Sequence, residues 1–450
     1  MTDGPRNALG LRLQKYGFSM STNVARPRAE TIISSAKSIY VSACAAEITE
    51  APGLFQEYRP RNATVTGLFT PVMNRVSYVS TEIGMRVRSF FLTQGLKRDL
   101  GTGLVEYCPW RYGMIDQWFR LASRFDTALI MVSPPDANGK CSLGVQADFL
   151  PSFQDKIDRI VGFINPNMPR TGGHNGIDYS AFTAVVDYDM PVKSVTMKPA
   201  DADATRMAEQ IVSLVPEGAT VQLGIGQIPS QALAKLANHR SIRIHSGVID
   251  DNVLLLEASG ALDRDAPIVS GTAVGTAPFY ESLSRNDRFA FRPVSYTHSF
   301  RTIAGIPKFV AINSVLQVDL LGQASAEGSG GKLVASPGGL PDFTRGALHS
   351  EGGKSIIAVR AKAAPNQSSG IVPLLDMPHT ATNPAVDADI VVTEFGTAHV
   401  RNLSIEKRGD ALIAIADPQD RERLTAEWSK IRSALFGRLT GPRRVVQLEC

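Results

Sequence analysis

The chain has 450 residues, 43% of them apolar and 20% charged, with a formal net charge of +4. That length exceeds one core of ordinary size and predicts two domains of roughly 200 residues. The composition is that of a globular protein, no apolar run approaches the ~20 residues that span a bilayer, and the dispersed basic residues exclude a nucleic-acid track.

The first twenty residues lack the continuous apolar core of a secretory signal, so a cytoplasmic location is expected. Cys44, Cys108, Cys141 and Cys450 are far apart and form no C-x-x-C pair, which predicts structural thiols and no metal site.

In chain order, Leu9, Leu11 and Leu13 alternate as in a short strand. Thr31 to Lys37 reads as a short helix and Ser38 to Ser42 as a buried strand. Val72 to Tyr78 reads as another strand, Met85 to Leu100 as a helix stopped by Gly101 and Gly103, and Val105 to Tyr107 as a brief strand. Phe125 to Ser133 carries the strongest strand pattern of this half, and Arg159 to Asn165 is the next. Asn165 to Gly173 is a loop dense in turn formers, with Arg170 inside it. A first domain is therefore placed at 1–192 and a second at 193–450, with Lys193 to Ala204 as the linker.

The second domain opens with a helix from Asp203 to Val215. Val221 to Leu223 then reads as a strand that breaks at Gly224 and Gly226, followed by helical spacing at Ala232, Leu233, Leu236 and Ala237. Ile242 to His245 is the next strand, and this alternation is the grammar of a parallel sheet. Glycines there let a ligand approach the backbone, and the N–H groups of a following helix attract negative charge; a turn with nothing bound has the same pattern. Pro229 stands where a dinucleotide fingerprint needs its third glycine, and Leu348 where a Walker motif ending at Gly353, Lys354 and Ser355 needs its first. Strands at Phe309 to Asn313, Leu316 to Leu321, Ile371 to Leu375 and Ile390 to Gly396 and a helix from Asp417 to Leu439 complete the half. Two glycine-rich loops lie at Gly322 to Leu333 and Ser336 to Gly346.

The order of these motifs resembles the acetyl-CoA hydrolase/transferase family, which includes the 4-hydroxybutyrate and butyryl-CoA:acetate CoA-transferases. The resemblance rests on Cys141 to Val145, Asn167 to Thr171, Gly224 to Pro229, Ile244 to Ser246, Asp319 to Gln323, Gly338 to Phe343, Gly352 to Ile357 and Thr393 to Gly396. It implies two similar open α/β domains with the active site in the cleft between them, and CoA transfer or hydrolysis of acyl-CoA thioesters. It implies coenzyme A as part of the substrate, a small carboxylic acid as partner, no nucleic acid or membrane, and a homodimer. Family chemistry uses a glutamate that attacks the thioester and then carries CoA as a glutamyl thioester. That glutamate follows Ile-His-Thr in Ile-His-Thr-Glu-Met-x-x-Asp-Gly.

Here the stretch reads Ile244-His-Ser-Gly-Val-Ile-Asp-Asp-Asn252, and Gly247 stands at the glutamate's position. Three readings follow. Asp250 or Asp251 serves as the nucleophile, although two aspartates there also suit a helix N-cap ahead of Val253 to Ala258. Alternatively, the space left at Gly247 admits water, with His245 or an aspartate as base and N–H groups near Ile225 and Gly338–Gly339 holding the oxyanion. In the third, the acceptor carboxylate attacks the thioester directly. A silent acyl-CoA binder is the non-enzyme alternative. CoA contacts are expected at Gly224, Ile225, Gly226, Gln227, Ile228, Gly338, Gly339, Lys354 and Lys362, with Arg170 pairing a substrate carboxylate. Glu327 and Glu394 are read as turn residues. If Gly247 is an adaptation, glutamate at 247 is expected to raise covalent transfer.

Overall fold

The computed structural model describes residues 27–196, 199–224, 226–329, 332–362, 369–376 and 380–437. Leu9 to Leu13, Ile225 and Cys450 lie outside them. The chain divides into two compact units, one of Met1–Asn313 with Val334–Ser355, the other of Ser314–Leu333 with Ile356–Cys450.

In the first unit, seven parallel strands stand in the order Val105–Tyr107, Arg86–Ser89, Thr64–Gly67, Ser38–Val41, Thr127–Val132, Ile160–Ile164, Ala184–Asp187. The chain enters at the fourth place, winds to one edge, and returns to the other side at Thr127–Val132. That strand is buried along its whole length, as its run of Ala, Leu, Ile, Met and Val requires of a strand covered on both faces. A second parallel run in the same unit is ordered Phe289–Phe291, Ile268–Ser270, Arg243–His245, Thr220–Leu223, then the strand beginning at Phe309. It repeats the same winding: out from an inner strand to one edge, then back to the other side. These are two similar open α/β sheets, the first wholly before Val192 and the second wholly after it. In such sheets, ligands collect at the carboxyl ends of strands where the winding reverses. In the second sheet that place is the end of Thr220–Leu223, followed by Gly224.

Two expected elements of the first sheet are corrected. Val72 to Tyr78 is not a strand but part of a turn organised by Asn74, whose Oδ1 accepts from the N–H groups of Thr70 at 2.7 Å and Cys44 at 3.1 Å. Met85 to Leu100 is not one helix. Arg86–Ser89 is a strand with Val87 and Ser89 buried and Arg86 and Arg88 outward, and only Gln94–Lys97 is helical. Arg88 meets Glu106 on the next strand at 2.8 Å and lies 4.8 Å from the ring centroid of Trp118. Trp118 and Trp110 share one aromatic cluster, with ring centroids 6.2 Å apart. The helices Ala51–Tyr58 and Tyr112–Leu121 were not anticipated.

In the second unit, the Ile356–Ala358 stretch pairs in parallel with Ile390–Thr393, which turns back antiparallel into Gly396–His399. The helices Ile405–Ala414 and Arg421–Phe436 pack closely because Gly409 has no Cβ; one there would overlap the indole of Trp428, which is 1% exposed. Among the described residues, no helix is long and apolar enough to cross a membrane.

Candidate active site

Gly247 follows the strand Arg243–His245 at its carboxyl end, and the imidazole of His298 lies against it. A Cβ at position 247 would stand 2.8 Å from Cε1 and 2.9 Å from Nε2 of His298, and 3.5 Å from the ring of Phe343. Gly339 lies against the same imidazole, and a Cβ there would overlap Nε2. The ring thus sits in a niche that exists because both positions are glycine. The expectation of open space for water at Gly247 is corrected: His298 fills it.

The niche is built from four segments. His298 ends the short helix Val294–Thr297, and its ring packs on Tyr112 and Phe343 with centroid separations of 4.6 and 4.4 Å. Phe343 comes from the helix Leu340–His349, which begins after Gly338 and Gly339. Gly338 has φ +59°, a left-handed conformation that a side chain resists, and its carbonyl accepts from the Tyr112 N–H at 3.1 Å. The carboxylate of Asp342 pairs with Arg111 and accepts from the Gly113 N–H at 2.9 Å. Tyr112 is therefore held from both sides by the helix that carries Phe343.

The tautomer of His245 follows from its partner. Nε2 of His245 stands 2.9 Å from the Thr297 carbonyl oxygen, which accepts only, so Nε2 carries the proton. The Thr297 hydroxyl lies 3.3 Å from the Pro293 carbonyl oxygen and 2.9 Å from Nδ1 of His298. The hydroxyl has one proton to give, to the Pro293 carbonyl or to Nδ1, and Nε2 of His298 stands against both glycines. Burial pushes His298 down to about 3, with the neighbouring His245 adding to the effect. Burial also lowers His245. Both rings are neutral at ordinary pH. Asp148 accepts from Gln146 Nε2 at 2.9 Å and from the Phe149 N–H at 2.7 Å, and burial raises it to about 6.

A small pocket of about 20 Å³ opens at the end of Thr220–Leu223, lined by Leu223, Gly224, Gly226, Ser230, Asp250 and Val274 among others. It brings together the glycine turn and Asp250. Gly226, at φ +145°, leads into the helix Gln227–Lys235. Asp250 accepts from the Ser230 hydroxyl at 2.6 Å and from the Asn252 N–H at 3.0 Å, which is the first residue of Asn252–Ser259; burial raises its pKa. Asp251 holds the Thr276 N–H and hydroxyl instead. Gln227 donates to the Pro199 carbonyl at 3.0 Å, and Ile228 is buried.

The remaining expected residues are occupied elsewhere. Lys354 Nζ donates at 2.7 Å to the carbonyl of Leu214, at the end of the helix Ala202–Ser213, where a cation suits the helix dipole. Arg170 meets Asp136 at 3.3 Å and donates to the carbonyls of Pro134 at 2.6 Å and Lys140 at 3.2 Å, so its guanidinium ties loops together. In the second unit, Glu394 accepts from the N–H groups of Ala361 at 3.0 Å and Lys362 at 2.7 Å, and Glu327 from the Thr382 hydroxyl at 2.8 Å, both within turns. Cys44, Cys108 and Cys141 are buried. Among the described residues, no group of three or more His, Cys, Asp or Glu side chains is arranged to hold a metal. His298, Tyr112 and Phe343 were missed. The first two lie outside the recurring motifs, and Phe343 ends the Gly338 to Phe343 motif in a stretch expected as a glycine-rich loop, where the structure has the helix Leu340–His349.

Residues 61–197 match the acetyl-CoA hydrolase/transferase N-terminal domain, and residues 275–428 match the C-terminal domain of that name. The chain is 35% identical over 344 residues to the 4-hydroxybutyrate coenzyme A transferase of Clostridium kluyveri, covering 75% of this chain and 80% of the relative. It is 34% identical over 349 residues to the succinyl-CoA:acetate/propanoyl-CoA:succinate CoA transferase of Fasciola hepatica, covering 75% of this chain and 73% of the other. The crystal structure of RipA from Yersinia pestis superposes with a TM-score of 0.79 at 27% identity, over 90% of this chain and 96% of that one.

Proposed function

The chain belongs to the acetyl-CoA hydrolase/transferase family and is an enzyme of the CoA-transferase kind, and from that premise we propose that it moves CoA between small carboxylic acids, acetate and 4-hydroxybutyrate among them, without a glutamyl-CoA intermediate. The observation that carries the second clause is Gly247 with an imidazole in its side-chain space. Glycine has no carboxylate, and the two aspartates that follow are hydrogen-bonded to Ser230, Asn252 and Thr276. A carboxylate acceptor needs no base, being ionised at neutral pH. Attack of the acceptor on the thioester carbon expels CoA thiolate and leaves a mixed anhydride. Attack of the thiolate on the acceptor's acyl carbon completes the exchange.

The similarity to CoA transferases across three-quarters of the chain supports transfer over hydrolysis. The pocket beside Gly224 and Gly226 and the turn at Gly338–Gly339 are proposed to hold the thioester, with the N–H groups of Gly338 and Gly339 facing the developing oxyanion, since that of Gly224 is given to the Ile312 carbonyl. The test is to incubate the protein with acetyl-CoA and each of 4-hydroxybutyrate, butyrate, propionate and succinate, and to separate the thioesters formed. Expected is a new acyl-CoA from at least one acid, in step with loss of acetyl-CoA. Free CoA at the same rate with and without acceptor makes the enzyme a hydrolase, and no turnover makes it a binder.

A further inference from the structure

The pocket at the end of Thr220–Leu223, about 20 Å³, has room for one group the size of a water, a methyl or a hydroxyl. Val248 lines it, and Val248 follows Gly247, so the pocket adjoins the position at which the family carries its glutamate. Leu223, Leu233, Ile249 and Val274 supply the rest of an aliphatic wall. The polar side is Ser230 and Asp250, and among the described residues no lysine, arginine or histidine lines the space. Asp250 accepts from the Ser230 hydroxyl at 2.6 Å and from the Asn252 N–H at 3.0 Å, and the Asn252 amide donates to Ser230 at 2.6 Å. A carboxylate has about four lone-pair sites, so Asp250 can take a further donor. Size and charge then decide which part of an acyl-CoA fits. Adenine and pantetheine are too large, and a phosphate would face a carboxylate with no cation beside it. The tip of the acyl chain remains.

We infer that this pocket receives the distal end of the acyl group and that Asp250 sets the substrate class, admitting chains that end in a methyl or hydroxyl and refusing those that end in a second carboxylate. The inference rests on the reading above that the thioester lies beside Gly224. A methyl end meets the aliphatic wall alone. A hydroxyl end donates to Asp250. A carboxylate end sets a second negative charge against Asp250 in a space too small to bring its hydration water along, where like charges repel strongly. Asp250 is thus a specificity residue, and no bond is made to it.

The experiment is calorimetric titration of the full-length protein with three thioethers that cannot be cleaved, S-butyl-CoA, S-(4-hydroxybutyl)-CoA and S-(3-carboxypropyl)-CoA. Expected is that the third binds about a hundredfold more weakly than the first two. Asp250→Asn removes the charge and keeps the shape, and it should return about tenfold or more to the carboxypropyl ligand. Val248→Phe fills the pocket and should weaken S-butyl-CoA about tenfold relative to S-methyl-CoA, whose chain is too short to enter. Equal affinity for the three ligands, or no binding of any, overturns the inference, and this arm needs no variant to fold. A carboxylate penalty that survives Asp250→Asn in protein of unchanged unfolding midpoint overturns the role of Asp250. An unchanged butyl-to-methyl ratio in Val248→Phe overturns the placing of the chain. Because no thioester is broken, the result is independent of turnover. The full ranking in a protein that forms no acceptor-CoA removes the transferase reading and leaves the pocket, and acceptor-CoA formed by a protein with a flat ranking does the reverse.

Discussion

His245 donates from Nε2 to the carbonyl oxygen of Thr297 at 2.9 Å, and Thr297 in turn holds Nδ1 of His298 at 2.9 Å. The family-motif histidine thus acts on the site through the backbone of the residue beside His298. Replacing it with leucine leaves the Thr297 carbonyl unpaired in a buried place, which costs about 1–3 kcal/mol. His245→Leu is expected to lower the denaturation midpoint and to slow turnover together. His245→Gln supplies an amide donor and should restore part of both, as read by urea unfolding and initial rates.

Gly247→Glu alone is expected to fail as a gain of function, because the new side chain meets a ring held between Tyr112 and Phe343. Overpacking of this kind costs about 1–3 kcal/mol. The paired change Gly247→Glu with His298→Ala removes the obstruction. Mass spectrometry after mixing with acyl-CoA should show a CoA-sized adduct on the double variant and none on the single one.

Asp148 gives a pH signature. Burial raises its pKa to about 6 in the native state, against an unfolded value of about 3.9. The native state therefore has its full advantage below about pH 4, where the carboxyl is protonated in both states. It loses that advantage as pH rises through about 6, by roughly 3 kcal/mol in all. Asp148→Asn should flatten this slope in denaturation midpoints measured from pH 4 to 8. Gln146 can accommodate the amide, since its Oε1 has no partner and a flipped side chain would present that oxygen to the new NH₂ group.

For Arg170, stability and binding separate. Its bonds to Asp136, Pro134 and Lys140 tie loops together, so Arg170→Ala should reduce stability by about 1–2 kcal/mol. The KM for the acceptor acid should stay within about twofold. A large rise in that KM at unchanged stability would return the residue to the substrate.

The reading from sequence succeeded where side-chain pattern and backbone state are tied together. Thr127–Val132 and Ile160–Ile164 are apolar runs that only a covered parallel strand uses, and both formed as expected. It failed at Arg86–Ser89, where two arginines alternate with buried residues and the period of two was lost beside Phe90 and Phe91, which resemble one face of a helix. Gly247 could be read as a missing carboxylate, because a motif places it. What stands in the gap could not, since His298 is 51 residues further on and reaches Gly247 only through the stacking of strands at their carboxyl ends. Lys354 shows the converse: a lysine beside two glycines suggests phosphate, yet its position one helix end away from Leu214 gives it a carbonyl instead.

The three tryptophans of the chain divide between the compact units, Trp110 and Trp118 in one and Trp428 in the other. The molecule thus carries its own pair of optical gauges. Trp428→Phe leaves emission from the first unit alone, and Trp110→Phe with Trp118→Phe leaves the second, so a denaturant titration followed by fluorescence reads each melting separately. Coincident curves would describe one cooperative body, and separated curves two that loosen in turn.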